Sequence, residues 1–471
     1  MRPPNIVVVV IDTLRADHLS CYGYPAPTSP AIDELAEQSA VFETAIAPGI
    51  PTMPSFTTLG TGLHPYRHGV VAHFWHRMLS EKTVLLPQLA KQGGYVTAAV
   101  DNLVIQGGGR GTWFARGYDH YSGFVYRPFS NQGSDITDRA TRFVHEYAGR
   151  PLFLLVHYWD PHTPYVPRPP FDTMHYRPGS SRIDMADVRR IEPRYYGALL
   201  EEMHLREPDD YAWVTAQYDG EISQVDAEVG RLAGEIEDCG AWDDTIFVLM
   251  SDHGECFGEG DYHFNHMSLY DAVIRVALMV RVPGSPGRRL AALVSTEDVL
   301  PTLIDLAGLP SPPYPLTGTS LASLIGGRTR EGRPYVVGAE STRQASLALR
   351  TADWKVILPI TEDGRGRPLP DLYGRPRDPT PLLFDLRSDP AEEHDLHAEQ
   401  PARLAEMLAT LEEWRQDTLR ATGAPDPILL DGLTLPHDLF MRYRYGRMLV
   451  AEDAVADEPA AATPTRGPAG G

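Results

Sequence analysis

The chain has 471 residues, enough for two or three domains or for one large α/β domain with an appendage, and ample to bury a core without covalent staples. With 63 acidic against 42 basic residues the net charge is −21, which argues against a nucleic-acid groove or an anionic membrane surface as a partner. Three cysteines, Cys21, Cys239 and Cys256, are too few for a disulfide framework.

Met1-Arg2-Pro3-Pro4 leads directly into residues 5–11, a continuous β-branched run that reads as a central buried strand. That run is too short for an export signal, and no apolar stretch approaches the length of a membrane span. A cytoplasmic protein without membrane contact is therefore expected. The strand ends at Asp12, followed by Thr13-Leu14-Arg15-Ala16-Asp17. Thr28-Ser29-Pro30 opens a helix with a cap and an early proline. In Pro48-Gly49-Ile50-Pro51-Thr52-Met53-Pro54 the prolines keep the chain extended, and Pro54 suits the first turn of a second helix. Thr52 then falls at or just before the helix cap, where N–H groups and the positive dipole end attract anions. Its bland role is a cap. It becomes a nucleophile candidate where a metal lowers its hydroxyl pKa.

Residues 63–70 read as a polar turn, 83–92 as an amphipathic helix, and 95–100 as a strand ending at Asp101-Asn102. Gly107-Gly108-Gly109 and the aromatic stretch 113–126 read as irregular loop. Residues 152–159 form another strand, ending at Asp160-Pro161-His162, and a proline-stiffened loop follows; His162 past a strand end is a candidate for substrate or metal contact. Residues 171–212, polar and without clear period, suggest a lid or insertion, and 213–232 a long helix.

The apolar run 245–250 is a buried strand that stops at Asp252-His253-Gly254-Glu255. In open α/β sheets ligands bind beyond the carboxyl ends of strands. Asp12 and Asp252 repeat one strand-then-carboxylate device, so the two ends can be neighbours. With His253 they offer the oxygen and nitrogen ligands of a hard or borderline divalent cation. Residues 274–282 read as a further strand and 296–307 as a helix closed by Gly308. Short strands at 335–338, 345–350, 354–359 and 382–385 form an antiparallel sheet, followed by a helix over 401–419 and a disordered tail over 452–471. The expected architecture is α/β: a large, mixed, mostly parallel sheet flanked by helices over 1–325, a smaller antiparallel sheet plus helix over 326–450, and a tail over 451–471.

Several stretches fit one pattern. Residues 5–17, Thr61-Gly62-Leu63-His64-Pro65, Asp160-Pro161-His162-Thr163-Pro164-Tyr165, Ser251-Asp252-His253-Gly254-Glu255 and Leu269-Tyr270-Asp271 occur in this order. With Trp354-Lys355 and Phe384-Asp385-Leu386, they resemble the sulfatase family of the alkaline phosphatase superfamily, over nearly all of residues 4–420. The resemblance implies an alkaline phosphatase-like fold, a divalent metal and an ester hydrolase.

The departures are informative. The family's Cys-x-Pro-x-Arg motif, whose Cys becomes formylglycine, falls on Thr52-Met53-Pro54-Ser55-Phe56. Threonine cannot become formylglycine, and Phe56 removes the motif's cation. Thr13 stands where many sulfatases have a second metal-binding Asp, Asn102 where a Lys-x-His pair begins, and His266 where a substrate-binding Lys is common. Superfamily members with an unmodified threonine mostly handle phosphorus.

The resemblance thus implies one divalent ion (Mn, Zn, Ca or Mg, not distinguished) held by Asp12, Thr52, Asp252 and His253. Thr52 would attack a small anionic phosphoester, phosphodiester or phosphonate ester, a sulfate ester being less favoured. His162 and His266 would hold substrate oxygens or move the leaving-group proton, with Asn102 as a further oxygen donor. The alternatives are a soluble phospho- or sulfo-group transferase using the same Thr52 intermediate, and a non-catalytic ligand-binding relative.

Overall fold

The computed structural model describes residues 2–73, 78–106, 111–124, 132–203 and 210–456. Its centre is a nine-stranded sheet of Asn5–Ile11 (β1), Ala40–Ile46 (β2), Val96–Val100 (β3), His120–Ser122 (β4), Leu152–Tyr158 (β5), Thr245–Ser251 (β6), Arg275–Val276 (β7), Leu278–Arg281 (β8) and Arg288–Ser295 (β9). The spatial order is β9-β2-β8-β6-β1-β5-β3-β4, with β7 beside β2. The strands from β6 to β4 are parallel; β8 runs antiparallel to both β6 and β2. This is the large mixed sheet expected from the apolar runs.

Both faces of the sheet are covered, which is why its central strands lack polar alternation. Ile6, Val8 and Val10 of β1 join one core with the Thr52–Thr61 and Val299–Ala307 helices. Val7, Val9 and Ile11 join the other, against the long helix Tyr211–Asp238. The second sheet, Val336–Glu340, Ser346–Arg350, Trp354–Pro359 and Leu382–Asp385, is antiparallel in chain order and packs into the first core. It is tied down by Lys355, fully buried, whose Nζ meets Asp271 Oδ1 at 2.8 Å and Glu392 Oε1 at 2.5 Å, while Arg350 meets Asp271 Oδ2 at 3.1 Å. A buried ammonium persists only with such partners.

Several elements differ from expectation. Residues 274–282 are not one strand: a helical turn, Asp271–Ile274, precedes β7 and β8. The helix expected from 83 begins at Leu86, with Pro87 in its first turn. The turn at 63–70 contains the short helix Pro65–His68, and the expected loop near 113–126 carries the edge strand β4; Gly107-Gly108-Gly109 lies outside the described residues. The 171–212 insertion holds helices Phe171–Met174, Met185–Ile191 and Pro193–Glu202. A helix, His437–Ala456, runs into the segment expected as tail, and residues 457–471 lie outside the described residues. No helix among the described residues is long and apolar enough to cross a membrane.

Candidate active site

Strand register brings the strand-end residues together. Ile11 pairs with Ser251 and with Tyr158, so Asp12 and Asp252 leave the sheet side by side. Both are fully buried. Gly254 turns the chain sharply after His253: its N–H donates to Val273 O at 2.7 Å, and a Cβ there would lie 2.0 Å from Ala272 O. Only glycine fits that approach.

The Asp252 carboxylate is oriented by two backbone donors, His253 N–H at 2.8 Å and Thr13 N–H at 3.2 Å, both on Oδ1. Thr13 reaches it by adopting φ +52°, an outlier for a β-branched residue. Residue 13 therefore contributes a backbone N–H to the site rather than a side-chain ligand. The Thr13 loop is pinned from the opposite helix, since Tyr218 OH donates to Thr13 O (2.7 Å) and accepts from Arg15 N–H (2.8 Å).

Two carboxylate oxygens, Asp12 Oδ1 and Asp252 Oδ2, are buried without a hydrogen-bond partner. His253 Nδ1 donates to Gly254 O at 3.0 Å, so its Nε2 presents a lone pair. These atoms fall within 4.8 Å of one another, and among the described residues they form the one His/Cys/Asp/Glu group suited to a metal. Three converging acceptors, two of them anionic and buried, are what a divalent cation satisfies. The residues present fit the ion.

Burial and the neighbouring Asp12 charge push the Asp252 carboxyl up to about 6. At Asp12, burial opposes ionisation, but the hydrogen bond from His157 and the surrounding imidazoles outweigh it and hold the pKa below its ordinary value. A raised Asp252 pKa makes the metal-free fold lose stability as pH rises from the unfolded value through about 6, and a ligand carboxylate must be ionised to bind a metal. We therefore expect Mn²⁺ to raise the melting temperature far more at pH 8 than at pH 5. A pH-independent shift in thermal melts against chelator would contradict this.

Thr52 is the first residue of its helix rather than the cap; the cap position is Pro51, and no side chain caps that end. Its Oγ1 lies 3.3 Å from His253 Nε2. The other hydroxyls of this helix are engaged: Ser55 Oγ donates to Asp252 O (2.8 Å), Thr57 Oγ1 to Met53 O (2.7 Å), and Thr58 Oγ1 meets His68 Nε2 (3.1 Å). Thr52 also lines a cleft of ≈ 860 Å³, partly open to solvent, together with His162 and His266. His162 Nδ1 donates to Thr163 O at 2.7 Å, leaving Nε2 as an acceptor, and burial lowers its pKa to about 4. His266 packs against His253, the two rings tilted by 31° with centroids 4.5 Å apart, and burial holds its pKa well below the ordinary value. Asn102 is fully buried with neither amide atom partnered.

Three participants were not singled out by sequence. His157, on β5, is fully buried between two carboxylates, Nδ1 at 2.7 Å from Asp101 Oδ1 and Nε2 at 3.3 Å from Asp12 Oδ2. Burial opposes its charge, but these two bonds raise its pKa to about 10. Carboxylates only accept, so both ring nitrogens donate and His157 stands as an imidazolium behind Asp12. Phe56 packs on that ring with centroids 4.5 Å apart. The one visible signal was a histidine inside the apolar run 152–158, where a polar group needs buried partners. Glu255, fully buried, accepts from Tyr165 OH (3.0 Å) and sets Oε1 3.5 Å from His266 Nδ1. His73 lines the cleft beside Thr52, and nothing in its local sequence marks it.

Known proteins resemble this chain over most of its length. The family model described as Sulfatase matches residues 4–309. The chain is 25% identical to human N-sulphoglucosamine sulphohydrolase over 92% of its own length and 94% of that protein. It is 24% identical to the multifunctional alkaline phosphatase superfamily protein of Trinickia caryophylli, over 86% and 93%. Its fold is similar to the phosphonate monoester hydrolase of Agrobacterium radiobacter, with a TM-score of 0.71 and 21% identity over 88% of this chain and 96% of that one.

Proposed function

As the chain belongs to the sulfatase family and is an ester-bond hydrolase, we propose that it cleaves phosphoryl or phosphonyl esters with Thr52 as nucleophile, and that Asp12, Asp252 and His253 hold one divalent cation beside it. The observation that carries this reading is the placement of Thr52 Oγ1 3.3 Å from His253 Nε2, next to two unpartnered carboxylate oxygens. A divalent cation held by Asp12, Asp252 and His253 would lower the pKa of the neighbouring Thr52 hydroxyl and polarise an ester oxygen.

The chain's own groups then divide the work. Thr52 Oγ1 attacks phosphorus opposite the leaving oxygen, forming a P–Oγ bond as the ester bond breaks; water later cleaves P–Oγ. His162 is neutral, with Nε2 oriented as an acceptor, so it takes the Thr52 hydroxyl proton, while the leaving oxygen on the far side of phosphorus draws its proton from water in the open cleft. His266, also neutral, holds a non-bridging oxygen, its ring fixed by His253 and set near Glu255. Asn102 keeps an unpaired, buried amide but does not line the cleft that holds Thr52, His162 and His266, so no contact with the ester is assigned to it. His157, fixed by Asp101, holds Asp12 in place and supplies positive charge that Phe56 does not.

Threonine lacks the aldehyde hydrate on which sulfatases rely, while a simple alkoxide serves phosphorus well. On matched nitrophenyl esters, the phosphate or phenylphosphonate should exceed the sulfate in kcat/KM by about tenfold or more, that is about 1.4 kcal/mol or more. A preference for the sulfate would overturn the reading.

A further inference from the structure

The cleft changes character away from the metal end. His73 and His162 line the end of the cleft that holds Thr52. The remaining wall comes from two segments outside the large sheet: Tyr195 and Leu199 of the Pro193–Glu202 helix, and Phe440 and Tyr445 of the His437–Ala456 helix, with Met267 and Leu435 between. A carbohydrate leaving group would need donors and acceptors at each hydroxyl, and this wall offers mostly hydrocarbon and ring faces.

One cation is set into that wall. Arg343 is 1% exposed, and its guanidinium lies 3.7 Å above the Phe440 ring and 5.0 Å from Tyr195. Nη2 donates to Leu372 O (3.0 Å) and His437 Nδ1 (3.4 Å), while Nε has no acceptor. Among the described residues no carboxylate pairs with it. Glu340 directs Oε1 to the N–H groups of Thr342 and Arg343, and burial pushes its pKa up to about 8, so it brings little charge. The other cleft cation, Arg444, is matched by Glu202 at 3.0 Å. A buried guanidinium with no counter-ion and a spare donor is a site for an anion.

We propose that this part of the cleft receives the leaving group of the ester, and that the leaving group is a flat apolar ring bearing a second anion held by Arg343. The proposal rests on the phosphoryl-ester reading and narrows its substrate class to aryl-type esters carrying a carboxylate or a similar acid.

The test compares 4-carboxyphenyl phosphate with its neutral isostere, 4-carbamoylphenyl phosphate, using the full chain loaded with Mn²⁺. The wild type should favour the carboxylate by about tenfold or more in kcat/KM, mainly through KM. In Arg343→Gln the ratio should fall to within about twofold of unity. Equal use of both esters by the wild type would overturn the proposal. So would a ratio that persists in Arg343→Gln, or an equal loss on both esters, which would place Arg343 on the reacting group. Should the glutamine variant not fold, Arg343→Lys decides: a compact ammonium cannot reproduce the planar fork, so the ratio must drop, and an unchanged ratio overturns. If neither ester is turned over, the hydrolase reading has failed separately. Calorimetric binding of 4-carboxybenzylphosphonate against its carboxamide then tests the subsite, with equal affinities counting against it.

Discussion

Thr52→Ala should reduce kcat on a phosphate or phosphonate ester by on the order of 10³-fold or more, with the fold intact. The size of the effect follows from position. Thr52 Oγ1 sits at the mouth of the metal group, whereas Ser55, Thr57 and Thr58 are committed to Asp252 O, Met53 O and His68. None of them can replace it without rebuilding the helix start. Stability should change by about 1 kcal/mol or less, because Thr52 is not the residue capping the helix. Thr52→Ser keeps the hydroxyl and should keep part of the rate. Near-normal turnover by a folded Thr52→Ala would reduce the residue to a packing role.

The second large effect concerns Asp252. In Asp252→Asn the amide oxygen can still accept from the His253 and Thr13 N–H groups, while an NH2 replaces the unpartnered oxygen that faces Asp12 and His253. The variant should fold, lose metal affinity by on the order of 10²-fold or more, and lose activity with it. Asp252→Ala removes both functions and leaves the strained Thr13 N–H without its acceptor, so it should also destabilise by roughly 1–3 kcal/mol. Elemental analysis and chelator titration read the metal term separately from melting. Wild-type metal content in purified Asp252→Asn would contradict the ligand set.

The parts of the fold that were legible are those where burial alone sets the pattern. β1, β5 and β6 are central and parallel, so their apolar runs stand out, and the residue after each run lands at the same sheet edge. That is why Asp12, Asp252 and His253 were readable as a group before any contact was known. β2 and β9 were not found. Glu43 and Thr44 interrupt β2 where it is only half-buried, and β9 opens with the exposed pair Arg288-Arg289 near the sheet edge. The helical turn at 271–274 follows from tertiary demand, since Gly254 docks on the Val273 carbonyl, and periodicity carries no trace of that. His157 was hidden by its own strand: read as one more core residue, it turns out to bridge two carboxylates that lie 56 and 145 residues away in sequence. The wall of the cleft is harder still, because the 193–202 and 437–456 helices meet over the site with no shared motif.

The stereochemical course at phosphorus tests Thr52 nucleophilicity most directly. A phosphate ester made chiral with oxygen isotopes and sulfur, turned over in isotopically labelled water, reports how many in-line displacements occur. Attack by Thr52 followed by attack of water inverts twice, so the product should show net retention. Net inversion would mean that water attacks directly and that no covalent enzyme forms on Thr52.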